Sequence, residues 1–95
     1  MIKILDCTLR DGGFYTQWDF DLPFVQAYCK AMDNAGVDYL ELGYRSFVQN
    51  EFSGAYRYTR ERTLEQIPTL NHAKIAVMLD SKEFIDDPDR VKQLF

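Results

Sequence analysis

Three short apolar runs, spaced along the chain with helix-like stretches between them, limit what this sequence can fold into. They cover residues 2–7, 37–43 and 74–79. The third, Lys74-Ile75-Ala76-Val77-Met78-Leu79, is almost continuously apolar, the pattern of a strand buried on both faces. In the second, Leu40 and Leu42 face one way while Tyr39, Glu41 and Gly43 face the other. A glycine-containing loop over residues 8–20 is expected after the first run. Asp21 then offers an N-cap, with Pro23 in the first helical turn. Phe24, Tyr28, Ala31, Met32 and Ala35 recur at helical spacing, and Gly36 closes the helix. Thr59 can cap a second helix through Leu64 and Ile67, ended by Pro68. Asp87-Pro88 starts a third, with Val91, Leu94 and Phe95 on its apolar side. Such alternation predicts an α/β fold with a parallel sheet and right-handed crossovers, a (β/α)3 segment in one domain over residues 1–95.

Composition removes several classes of function. A chain of 95 residues supports one modest core. A net charge of −4, with no lysine- or arginine-rich run, argues against a nucleic-acid partner. No stretch has the length of a signal peptide or a membrane span, so no membrane partner is expected. Cys7 and Cys29 are too few and too isolated for a disulfide framework or a zinc knuckle. Both read as reduced and buried, which fits a cytoplasmic protein. Arg45, Arg57, Arg60 and Arg62 cluster in one region, as a solvated loop or as an anion site.

The chemistry-bearing stretch is Leu5-Asp6-Cys7-Thr8-Leu9-Arg10-Asp11-Gly12-Gly13. It places an arginine and a carboxylate just after the first strand, at the end of the sheet where α/β proteins keep their sites. Asp11 can ligate a hard divalent cation, and Arg10 can stabilise a developing enolate or carboxylate oxygen. The plain alternative is a surface turn with a solvated arginine. Glu41 bears on the choice. A carboxylate inside a strand needs a cation close by, and Arg10 is the obvious partner if the first two strands are neighbours. Otherwise Glu41 lies at a solvated strand end.

Asp6-Cys7-Thr8-Leu9-Arg10-Asp11-Gly12, together with Leu40-Glu41-Leu42-Gly43, resembles the start of the metal-dependent lyase and aldolase barrels. That superfamily includes HMG-CoA lyase and carries an Asp-Arg-Glu signature on a (β/α)8 TIM barrel. The Leu-Arg-Asp-Gly-Gly and Glu-Leu-Gly-Tyr-Arg strings look closest to the 4-hydroxy-2-oxovalerate aldolase branch. The resemblance implies an enzyme that makes or breaks a carbon–carbon bond beside a 2-oxo acid. It implies Asp11 as metal ligand, Arg10 as catalytic cation and Glu41 as its orienting partner. The implied cofactor is a divalent metal, Mn2+ or Mg2+, with Zn2+ as a further alternative. Arg10, Tyr15, Tyr44 and Arg45 are the expected substrate-binding residues.

The chain also departs from that family. Its members carry a catalytic histidine a few residues after the Arg-Asp pair, where this sequence has Gly13, Phe14 and Tyr15; either Tyr15 takes a related role or the proton path differs. The family also completes its metal site with a His-x-His pair from late strands, and 95 residues supply about three of eight barrel units. The chain is therefore expected to be the N-terminal part of a barrel and inactive alone. It would associate as a homo-oligomer or with the missing portion of the barrel. An inactive, self-associating fragment is the alternative, and an anion-binding module using Arg10, Arg45 and the glycines is a third reading.

Other residues divide more simply. His72 precedes the third strand, so a surface or helix-end role is expected. Asp80 follows that strand and either lines the site or caps the next turn. The loop over residues 44–58 carries Tyr44, Arg45, Phe47, Phe52 and Tyr56, with Ser53-Gly54 at its turn. It either folds over a substrate or packs onto the rim. Gly12-Gly13 could form an anion nest or only a tight turn.

Overall fold

The computed structural model describes residues 1–47 and 54–95. Strand β1 covers Leu5–Asp6, β2 covers Tyr39–Tyr44 and β3 covers Lys74–Met78. They form one parallel sheet with β2 in the middle. The expected α/β segment is therefore present, with the strands in the order read from the sequence. β1 is shorter than the apolar run because only two of its residues pair. Ile4 still anchors it: its carbonyl accepts N–H bonds from Asp38 and Tyr39.

Residues 8–20 depart from the expected loop. Thr8–Thr16 is an α-helix, α1, where a loop was expected. Glycine is among the poorer helix formers, and two adjacent glycines read as a turn. Tertiary contacts override that preference. Leu9 is buried in the core, and Gly13 leaves room for the Trp18 ring, which a Cβ at that position would strike. The helix stops at Gln17 and Trp18, both left-handed with φ of 57° and 58°. Two such residues in succession are costly for side chains with a Cβ, and the turn folds Trp18 back over α1.

Helix α2, Leu22–Asn34, starts after Asp21 with Pro23 in its first turn, as expected. Gly36 follows it at φ 88°, a conformation that suits glycine. Its buried stripe differs from the expected one. Val25, Cys29 and Asp33 face inward, Tyr28 and Met32 flank them, and Phe24 is half exposed. The stripe is rotated because an acidic residue, Asp33, belongs to it. Its carboxylate accepts N–H bonds from Asn71, His72 and Ala73 at 2.8, 2.8 and 2.7 Å. That clamp ties the end of α2 to the start of β3.

The second helical segment is also shorter than expected. α3 is only Glu61–Leu64, and Arg60 rather than Thr59 stands at its N-cap. Thr59 is fully buried at φ 41°, and its hydroxyl donates to the Tyr56 carbonyl instead. The third segment, Pro88–Leu94, is a 3₁₀ helix; Val91 and Leu94 are half-buried and Phe95 is exposed. β3 is only half-buried because it is an edge strand. Phe52 and Ser53 lie outside the described residues.

The core gathers Leu9, Val25, Cys29, Leu40, Leu42, Tyr56 and Ala73. Leu40 and Leu42 come from the central strand, and each fully buried leucine contributes about 1.5–3 kcal/mol. A register shift between Glu41 and Gly43 interrupts the pairing of β2 with β3. Such bulges re-aim side chains beside functional sites. Gly43 is required there, because a Cβ would meet the Tyr56 carbonyl. Burial pushes the Cys29 thiol up to about 11, so it stays a protonated core residue.

Two carboxylates that pin the strand ends link the fold to pH. Asp33 is held below its ordinary pKa by the Ala73 and Asn71 amides, and Asp38 by the Ile4 amide and His72. Both contribute stability above the unfolded value of about 3.9, and it is lost as pH falls through the lower folded values. Urea unfolding should give a midpoint that is flat above about pH 5 and declines on the acid side. In Asp33→Asn the midpoint should be lower at neutral pH and the acid decline shallower. An unchanged acid profile in the variant would refute the clamp.

Candidate functional site

β1 delivers the chain to α1 at the carboxyl end of the sheet, and the junction is built by Asp6. Its carboxylate accepts the Thr8 backbone N–H at 3.2 Å and the Thr8 hydroxyl at 3.1 Å. The Tyr28 hydroxyl, on α2, donates to the same carboxylate at 2.9 Å. Asp6 therefore does the work of a helix cap, since Cys7 at the N-cap position makes no side-chain capping bond. The Cys7 thiol donates to Asp11 at 3.6 Å, and burial with the nearby Asp11 charge raises its pKa.

Arg10 is the centre of the arrangement. Its Nε donates to Glu41 Oε1 at 2.6 Å, and its Nη1 contacts Asp11 Oδ1. Glu41 is buried, with its side chain 8% exposed, against 21% for Arg10 and 60% for Asp11. The structure thus brings together Arg10, Asp11 and Glu41. The hydrogen bond that Arg10 donates to Glu41, more than any other contact, raises the Arg10 pKa, so the cation is permanent. Trp18 Nε1 donates to the Arg10 carbonyl at 2.9 Å and fixes the backbone that carries this pair. Among the described residues Arg10 Nη2 makes no hydrogen bond, which leaves one arm of the fork for a ligand.

Asp11 is an exposed oxygen donor in the first turn of α1, chemistry that suits a hard cation. Among the described residues, however, no group of three His, Cys, Asp or Glu side chains could hold a metal ion. One carboxylate, shared with an arginine, is an incomplete site. These residues alone therefore do not fit a bound divalent metal.

The remaining expected residues are elsewhere. Tyr15 is 93% exposed on the outer side of α1. Tyr44 packs edge-on against Phe14 and Trp18, with ring centroids 6.5 and 5.4 Å apart. Arg45 is buried and engaged: Nη1 donates to the Thr59 carbonyl at 3.1 Å and Nη2 to Glu61 at 2.8 Å. Its guanidinium also lies over the Phe95 ring. Those contacts tie Arg45 to Thr59 and Glu61 and to the ring of Phe95. Phe47 packs at a tilt against Phe84 and lies under Arg90, and Tyr56 belongs to the core. The rim-packing reading of these aromatics is the one the contacts favour. Gly12 and Gly13 lie inside α1, so neither forms a nest. Asp80 caps the next turn by accepting the Lys82 N–H at 3.0 Å, and His72 pairs with Asp38 near the start of the strands.

Sequence reasoning missed the roles of Asp6, Trp18 and Tyr28. A tyrosine on the inward side of α2 and an aspartate at the strand end were visible, but their pairing depends on three-dimensional placement. No helix among the described residues is long and apolar enough to cross a membrane.

Comparison with known proteins adds to this geometry. No family model matches the chain. Curated 4-hydroxy-2-oxovalerate aldolases of Burkholderia pseudomallei (strain 668) and Burkholderia thailandensis are 41% identical to it over 44 residues. That match covers 46% of this chain and 13% of theirs. A crystal structure of the N-terminal domain of "a putative aldolase" from Bacteroides vulgatus is similar, with a TM-score of 0.85 and 44% identity. The likeness covers 99% of this chain and 31% of that one. In sequence and in fold the chain thus resembles the N-terminal portion of aldolases.

The ion pair makes a direct prediction. Arg10→Met leaves Glu41 buried without its cation and should cost about 3 kcal/mol in urea unfolding. Arg10→Met/Glu41→Leu should recover most of that loss, because an apolar pair needs no partner. Equal destabilisation in single and double variants would show that the pair is not the source.

Proposed function

We propose that this chain is the N-terminal part of an aldolase or lyase that acts on a 2-oxo acid. The reading rests on its likeness to the N-terminal portion of aldolases. The observation that carries it is the Arg10 guanidinium, held by Glu41 at 2.6 Å with Asp11 beside it at the strand ends. Aldol cleavage of a 4-hydroxy-2-oxo acid breaks the bond between C3 and C4. The electron pair stays with C3 and delocalises onto the 2-oxo oxygen, while the hydroxyl proton leaves and C4 departs as an aldehyde. Arg10 meets the charge that grows on that oxygen, and Glu41 keeps the guanidinium from turning away. A preorganised cation of this kind is commonly the largest contribution to such a reaction.

In a site completed by further ligands, Asp11 would supply one oxygen to a divalent ion, Mn2+ or Mg2+, which would lend Lewis acidity to the 2-oxo group. Phe14 and its neighbours offer no imidazole beside Arg10, so the base for the hydroxyl proton is outside this cluster. Tyr15, at 93% exposure, is held by no contact with the ion pair among the described residues.

Two measurements test this reading. In the complete polypeptide that carries this chain, release of a 2-oxo acid from 4-hydroxy-2-oxovalerate should require Arg10. Arg10→Lys keeps the charge but loses the fork, so it should lower kcat by about 100-fold with little change in KM. Unaltered turnover in Arg10→Lys would sink the assignment. In the 95-residue chain alone, Mn2+ should bind only weakly, on the order of 0.1–1 mM, and Asp11→Asn should abolish that binding. Tight binding would mean that the chain completes the site by itself.

The alternative, an inactive fragment that associates, is favoured by one observation. Ile2, Ile4, Leu5 and Phe95 are 92, 56, 51 and 69% exposed, and β1 and β3 are both sheet edges. Exposed apolar residues beside unpaired strand edges invite pairing with another chain. Sedimentation velocity should show a mass that rises with concentration across the micromolar range; a constant monomer would count against association.

A further inference from the structure

We infer that Arg57 anchors a second binding site, separate from Arg10 and Asp11, for a small organic oxyanion with an apolar body. The two arginines of the 44–58 loop differ in the feature that matters. Arg45 spends its donors on Thr59 and Glu61. Arg57 forms no ion pair among the described residues, and its Nη1 is a buried nitrogen with no hydrogen-bond partner there. A buried, unsatisfied donor on a charged group is expensive, and proteins leave few of them.

What holds Arg57 in place is aromatic. Its guanidinium lies over the Tyr44 ring at 4.8 Å and the Trp18 ring at 5.8 Å. Trp18 and Tyr44 are themselves edge-to-face at 5.4 Å, and Phe14 closes on Trp18 at 4.9 Å. The ring faces fix the plane of the guanidinium, and Nη1 behind them is left without a protein acceptor. Trp18 reaches this position through the left-handed turn at Gln17 and Trp18, a local cost held in place by this packing.

The side chain lines a cavity of about 370 Å³ at the carboxyl ends of β2 and β3, with Phe14, Trp18, Tyr44, Asp80 and Lys82. Its charged members are two cations and one acid. The acid, Asp80, already accepts the Lys82 backbone N–H, whereas the Lys82 side chain is exposed at the mouth. Three aromatic rings and two cations suit a carboxylate or a phosphate on an apolar body, with the oxyanion taken by Arg57 and Lys82. The place fits as well, since open α/β sheets bind ligands beyond the carboxyl ends of their strands.

Trp18 is the only tryptophan of the chain, so its fluorescence reports on this cavity. The 95-residue chain is titrated with benzoate, phenyl phosphate and inorganic phosphate at constant ionic strength. Benzoate, phenyl phosphate or both should give a saturable change, and the tighter of the two identifies the oxyanion. Arg57→Met, which keeps the apolar stem, should weaken binding about ten-fold or more. Lys82→Ala, at an exposed position with little bearing on folding, should weaken it by a smaller factor. Arg10→Lys, which keeps a cation beside Glu41 but loses the guanidinium fork, should bind these anions as the parent does, which separates this site from the one proposed around Arg10. The inference is overturned if neither aromatic anion saturates, or if Lys82→Ala and a folded Arg57→Met both bind as tightly as the parent. Inorganic phosphate binding as tightly as phenyl phosphate would overturn the apolar half of the site.

Discussion

A carboxylate buried in the central strand is the constraint on which the rest of this structure turns. Glu41 lies in β2 between Leu40 and Leu42, both essentially inaccessible to water. An isolated charge there would be worth several kcal/mol of desolvation, so Arg10 has to be within reach. That requirement places β1 next to β2 and starts α1 directly after β1, because only then does the guanidinium face the strand. The helical start in turn needs Asp6 to hold Thr8 and Tyr28.

Much of this was legible in the residues. The order of the strands, the helix after Asp21 and Pro23, and the Arg10–Glu41 contact all follow from patterns that act locally or from the cost of a buried charge. The errors share a different cause. Gly12 and Gly13 read as a turn because propensity is local, yet α1 forms because Leu9 and Trp18 reward it from a distance. Asp33 was overlooked because a helix stripe is scored by apolar residues. Its three amide partners, at residues 71–73, are invisible until the chain has folded. Thr59 has the chemistry of a cap but is buried at a positive φ, so its hydroxyl turns to Tyr56.

The arginines show the same limit in the site itself. Sequence placed Arg45, Arg57, Arg60 and Arg62 in one basic region and singled out Arg45, which directly follows β2. Position along the chain does not say which donors are left over. Arg45 is consumed by a carbonyl, a carboxylate and a ring, and so serves the loop. Arg57 stands on two ring faces that fix its plane without using its donors. Availability of hydrogen-bond capacity, rather than charge, distinguishes a structural arginine from a binding one.

Trp18 joins the two regions. Its indole N–H holds the carbonyl of Arg10 while its ring face supports Arg57, so one side chain sets the backbone of one cation and the plane of another. The left-handed pair Gln17–Trp18 is what allows this, and Gly13 is what makes room for the ring. Tyr44 packs against the same ring and ends β2, the strand that holds Glu41. The aromatic cluster is therefore better understood as the scaffold of both sites than as a cover over either.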